Sequence, residues 1–257
     1  MKKTISLITL IVIVFTASAC QQDNESNKST QLKIQESKPI NPPMHLDRIK
    51  NATLLIEVQS IQPDGVTRGF DMATLVQHQG EIYLVTHNHY GDMLQDMNIV
   101  QLRDAENHKI RSMYGSEFKS LIVCQDPGTL VLRAPAGLPE ALTPVNVDHQ
   151  PQLQPGNIVQ VAYRGGAKRE QVEIVDAVIE DITVSGVTPV YRLRFPDGQL
   201  LSPGDSGGGV WYGETFVGNI WSIVLSYTIV EIASANDSAS ESQTDLSYAA
   251  IFPEMFR

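Results

Sequence analysis

The sequence predicts an all-β domain, a sandwich or barrels, on three observations. After residue 50 the apolar residues come in short runs of strand length. Gly, Pro, Asn and Asp separate those runs at regular intervals, and no long central stretch carries a helical period. The chain has 257 residues, 42% hydrophobic and 19% charged, the balance of a globular chain able to bury a full core.

The elements follow in order. Lys2 and Lys3 form a positive start, Ile5 to Phe15 is a short apolar run, and Thr16-Ala17-Ser18-Ala19 supplies small residues before Cys20. This arrangement resembles a bacterial lipoprotein signal, which implies cleavage after residue 19, a fatty acyl group on Cys20 and a place in the cell envelope. Ala17 stands where that signal usually has Leu; the plainer alternative is a secretory signal cut near Ala19. Residues 21–45 are polar and poor in apolar side chains, and read as a flexible tether. The expected organisation is a signal over 1–19, a lipidated N-terminus and linker over 20–47, and a folded domain over 48–257.

Within that domain, strands are expected at 51–59, 70–78, 81–86, 98–102, 120–124 and 129–133, and then at 157–163, 170–180, 190–195, 209–212 and 215–224. Gln79-Gly80 reads as a hairpin turn between two of them. The Pro-rich stretch 138–155 looks like a connection between two β halves, 234–245 is a polar loop, and 247–256 is the one candidate helix.

Acids outnumber bases, 29 to 19, which argues against a nucleic-acid partner. Two cysteines exclude a disulfide-rich scaffold, and Cys124 reads as a small core residue. No run approaches the roughly 20 apolar residues of a membrane span.

Chemistry concentrates at Pro203-Gly204-Asp205-Ser206-Gly207-Gly208-Gly209. A serine flanked by glycines can expose its hydroxyl on a tight turn and converge backbone amides on one point. A nucleophile needs that accessible oxygen together with donors for an oxyanion. A Gly-rich hairpin loop is the plainer reading of that stretch alone. Leu84-Val85-Thr86-His87-Asn88-His89 and Asp126-Pro127-Gly128-Thr129-Leu130-Val131-Leu132 extend the pattern.

Together these patches resemble chymotrypsin-like serine peptidases, in the chain order His, Asp, Ser. The resemblance implies two packed six-stranded antiparallel β-barrels with a short C-terminal helix, the first about 48–145 and the second about 150–257. It implies a triad of His89, Asp126 and Ser206, and an oxyanion hole from the amides of Gly204 and Ser206. Leu200 and Ser222 would shape the substrate pocket. With Leu201 beside Leu200, an apolar preference is expected. Thr86 aligns with the family's threonine and so favours His89 over His87, which becomes a neighbour. Asp92, Asp96 and Asp104 are nearby acids, and Asp126 is preferred because an apolar strand follows it. The two histidines could instead be metal ligands, but no third ligand stands at a suitable spacing, so neither metal nor cofactor is expected. Asp205 is expected to pair within the domain or with water, because no Ile-Val-Gly-Gly-like start occurs near residue 48. The activity implied is that of an exported, membrane-tethered serine endopeptidase acting on proteins or peptides. The alternatives are a binding module with lost catalysis and an esterase using the same triad.

Overall fold

In the computed structural model the described residues are 44–89, 94–126, 128–147, 152–164, 171–185, 188–195, 201, 204–225, 246–251 and 253–256. The expected signal over 1–19, Cys20, the linker up to residue 43, Leu200 and the polar loop 234–245 lie outside them. No described helix is long and apolar enough to cross a membrane.

Helix α1 (Met44–Ala52) leads the described chain. It buries Ile49 and Ala52 completely, and the Thr53 hydroxyl closes its last turn by donating to the Ile49 carbonyl at 2.8 Å. Strands β1 (Thr53–Gln62), β2 (Gly65–His78) and β3 (Glu81–Thr86) follow as a meander. Gln79 and Gly80 both have positive φ, 51° and 85°, as a two-residue type I′ turn requires. Next come β4 (Ile99–Arg103), β5 (Lys109–Tyr114), α2 (Gly115–Ser120), β6 (Ile122–Asp126), β7 (Thr129–Arg133) and β8 (Val145–Asn146). They form an eight-stranded sheet in the order β5-β4-β1-β2-β3-β7-β6, with β8 paired parallel to β2.

The second half is β9 (Ile158–Tyr163), β10 (Glu173–Ser185), β11 (Thr188–Arg194), β12 (Gly209–Tyr212), β13 (Thr215–Leu225) and β14 (Leu246–Ile251). It closes as a barrel in the order β10-β11-β14-β13-β12-β9, through Val210↔Val161 and Trp211↔Gln160.

Strand alternation sorts the apolar residues into three cores. Leu54, Ile56, Ala73, Leu75, Leu84, Leu130 and Leu132 fill one face of the sheet. Val159, Val161, Tyr191, Leu193 and Val217 fill the barrel. Between the two units, Leu55, Met72, Val76, Val85 and Val131 of the sheet meet Ala162, Trp211 and Phe216 of the barrel, together with Ile49 and Phe256. Strand β1 is therefore buried on both faces from Thr53 to Glu57, as a strand covered on two sides must be.

The all-β class holds, with two corrections of detail. Eight strands rather than six make the first sheet, and no closing pair is described for it. The expected C-terminal helix is strand β14, paired with β11 and β13, followed by a single 3₁₀ turn at Glu254–Phe256. An apolar run this short does not commit to a period, so pairing on both sides decides it.

Trp211 is fully buried in the seam between the units and stacks edge-on against Phe216 at 5.9 Å. Trp211→Ala is expected to lose roughly 3–5 kcal/mol of stability, measured by urea unfolding.

Candidate active site

Strand β3 ends at Thr86, whose partner on β2 is Ala73. One residue further along β2 the ladder to β3 stops, and the backbone of Met72 needs other partners. Its N–H donates to the Ser206 carbonyl at 2.9 Å, and its own carbonyl accepts the Thr86 hydroxyl at 2.6 Å. The loop that carries Ser206 thus takes the place that β3 vacates. Within that loop the Gly208 amide donates to the Asp205 carbonyl at 3.0 Å, and Gly207 and Gly208 exchange backbone hydrogen bonds with Ile220 of β13.

Glycine at 207 is required by the close approach. Its φ is +78°, and a Cβ there would lie 2.2 Å from the Met72 carbonyl oxygen, 2.6 Å from Thr86 Oγ1 and 3.0 Å from the His87 amide nitrogen. The Gly-rich sequence is therefore a seating device. It sets the half-buried Ser206 beside the segment in which β3 gives way to His87, Asn88 and His89.

His89 is 34% exposed, within reach of a ligand, and its Nε2 lies 2.7 Å from Oδ2 of the buried Asp71. The pair is close enough for an ion pair when the imidazole is protonated. On the other side of the ring, Nδ1 of His89 faces Nδ1 of His87, and the ring centroids are 4.4 Å apart. His87 Nδ1 also accepts the His89 amide at 3.2 Å. Burial pushes the Asp71 carboxyl up to about 6; the imidazole beside it pulls the other way, and the charge of Asp205 adds to the rise.

Asp205 is itself buried, and its Oδ1 accepts the Arg164 amide at 2.6 Å, so it pairs within the folded domain. The Arg164 guanidinium lies over the Phe70 ring, 4.5 Å from its centroid. Asp126 sits half-buried at the end of β6. Its carboxylate accepts the Cys124 thiol at 3.3 Å and the Thr129 hydroxyl at 3.2 Å, and its carbonyl accepts the Asn88 side chain at 3.1 Å. The sequence-assigned residues therefore fall as follows. The Ser206 loop comes to the His87–His89 segment, and Asp126 borders that segment through Asn88. Ser222 lies on β13, paired with Ala249. Among the described residues no group of three or more His, Cys, Asp or Glu converges as a metal site.

Asp71 is the site residue that sequence reasoning missed. The available signal was an acid inside the apolar strand run Phe70-Asp71-Met72-Ala73-Thr74-Leu75-Val76, where Asp is ordinarily depleted.

No family profile matches the sequence, and no curated protein matches it. Among solved structures the chain is similar to the Rv3671c protease from M. tuberculosis in its active form. The identity is 14%, over 86% of this chain and 89% of that one, with a TM-score of 0.48.

Asp71 carries a pH signature. Its carboxyl rises from 3.8 to about 6 on folding, so the folded state binds that proton more tightly than the unfolded one. Stability contributed by this group is complete below pH ~4 and is lost as pH rises through about 6. Asp71→Asn should therefore be more stable than the wild type at pH 7, by on the order of a few kcal/mol. The gain should vanish below about pH 4, as read by urea unfolding across that range.

Proposed function

We propose that the protein is a serine hydrolase of the peptidase type, with Ser206 as nucleophile and His89 as its base. The observation that carries this reading is the seating of the Ser206 loop on Met72, with Gly207 against Thr86 and the His87 backbone. This brings the loop that carries Ser206 to the segment that carries His87 and His89. In the reaction, Ser206 Oγ bonds to the substrate carbonyl carbon while its proton passes to the His89 imidazole. The carbonyl pair moves onto oxygen, which the amides of Gly204 and Ser206 would bind. Collapse of that intermediate expels the amine with the proton from His89, leaving an acyl ester on Ser206. Water then reverses the sequence and frees the acid. A buried carboxylate beside the imidazole stabilises the imidazolium formed in each half.

The substrates in this reading are proteins or peptides. Leu200 would give the pocket an apolar floor, next to Leu201, which is buried in the barrel core. The protein is exported and held at a bacterial membrane by a fatty acyl group on Cys20, a reading supported by the sequence around Cys20.

A fluorophosphonate probe should label the wild type, and Ser206→Ala should abolish labelling and casein hydrolysis while keeping the circular dichroism spectrum. Hydrolysis that survives in Ser206→Ala would remove the assignment. Labelling accompanied by cleavage of esters but not peptides would point to the esterase. In cells fed an alkyne fatty acid, the wild type should incorporate the label and Cys20→Ser should not.

A further inference from the structure

We infer that His87 and His89 form a binding site for a divalent cation of the zinc class, and that filling the site switches the hydrolase off. The switch rests on the reading of His89 as the base for Ser206 given above; the site itself does not.

The ring nitrogens carry the argument. Asp71 Oδ2 lies 2.7 Å from His89 Nε2, so the neutral ring keeps its proton on Nε2, where the carboxylate accepts it, and its Nδ1 is an acceptor. His87 Nδ1 accepts the His89 amide at 3.2 Å, so it is an acceptor too. These two Nδ1 atoms face each other, with the ring centroids 4.4 Å apart. Two acceptors so placed repel, and an electropositive centre between them removes the repulsion. Zinc binds imidazole nitrogen at about 2.0–2.1 Å, which at a tetrahedral angle sets two nitrogens roughly 3.3 Å apart. A small rotation of either ring reaches that separation.

The far side of the His89 ring supplies an independent observation. A metal-bound imidazole almost always donates its other N–H to a carboxylate, a carbonyl or water, which fixes the tautomer and makes the ligand more basic. Asp71 stands in that place, its side chain 1% exposed. The front of the pair is accessible: His89 is 34% exposed and His87 half-buried. The net charge of −10 favours a cation. Imidazole donors select zinc or copper(II) over calcium and magnesium, which take oxygen. Two protein ligands leave the other positions to water, so the ion exchanges with the medium, unlike one held by three or four side chains. A loaded pair commits His89 on both nitrogens, Nε2 to Asp71 and Nδ1 to the metal. A base needs a lone pair for the Ser206 proton, and chelation of the ion returns one.

The test titrates Zn²⁺ by calorimetry into the metal-free, full-length wild type, His87→Gln and Asp71→Asn, and follows the histidine ring ¹⁵N resonances. Circular dichroism verifies the fold of each variant. The wild type should bind one Zn²⁺ and shift Nδ1 of both rings. His87→Gln should abolish that event, and Asp71→Asn should weaken it roughly 10- to 100-fold. Fluorophosphonate labelling of Ser206, with each protein referred to its own metal-free rate, should fall as zinc loads the wild type and recover with EDTA. In His87→Gln the same zinc should leave it unchanged. Zinc that binds all three proteins equally sits elsewhere, and rings that share a proton but take up no zinc hold no metal; either result overturns the site. Zinc that binds as expected without slowing the labelling overturns the switch. A wild type that never labels, metal-free or loaded, fails the hydrolase reading, and the titration still decides the site.

Discussion

The site depends on how Met72 satisfies its backbone. A strand that runs past the end of its neighbour leaves an N–H and a carbonyl that must find partners if they are buried. Here one partner is the peptide of Ser206 and the other is the hydroxyl of Thr86. The first of these bonds joins residues more than a hundred positions apart in the chain and holds the barrel's loop to the edge of the sheet. Gly207 makes the approach possible, because any side chain would occupy the space of the Met72 oxygen. The seam core behind it, built on Trp211 and Phe216 against Met72 and Val85, resists relative movement of the two units, since close-packed interiors have little room to slide.

Much of this was legible in the sequence. The strands with alternating or continuous apolar runs stand close to where the runs predict them, and the Gln79-Gly80 turn follows from the positive φ it must supply. Strand β5 escaped because it carries Lys109, Arg111 and Ser112 and buries only Met113, as an edge strand of the sheet with charged side chains. Strand β8 is two residues long, too short for any period. Helix α1 escaped because its apolar face is little more than Ile49 and Ala52, which look like the end of a polar linker until the seam is known. In each case a tertiary neighbour determined the element, and local preference did not.

The catalytic candidates divide in the same way. Ser206 and His89 announced themselves through local motifs, because a turn that exposes a serine and a strand that ends in a histidine each need particular neighbours in sequence. The carboxylate is different. Any acid that reaches the imidazole through space will serve, whatever precedes or follows it, so its local signature is weak. An apolar strand after Asp126 was a cue to burial near a sheet edge, and Asp126 does border the site. The stronger cue was a charge placed against the pattern: an acid at a core-facing position of β2, where an apolar residue would stabilise the fold.

That placement also bears on what the strand contributes to chemistry. Burying Asp71 destabilises its ionised form and lifts its carboxyl towards neutrality, a penalty a purely structural position would avoid with Asn, Val or Ile. The return is positional. A carboxylate on a strand paired to β1 on one side, and bonded through the next residue to the Ser206 loop on the other, cannot shift without moving both. Small misplacements of a reacting group carry large penalties in rate. A carboxylate on the rigid element therefore keeps a fixed place beside the His89 ring.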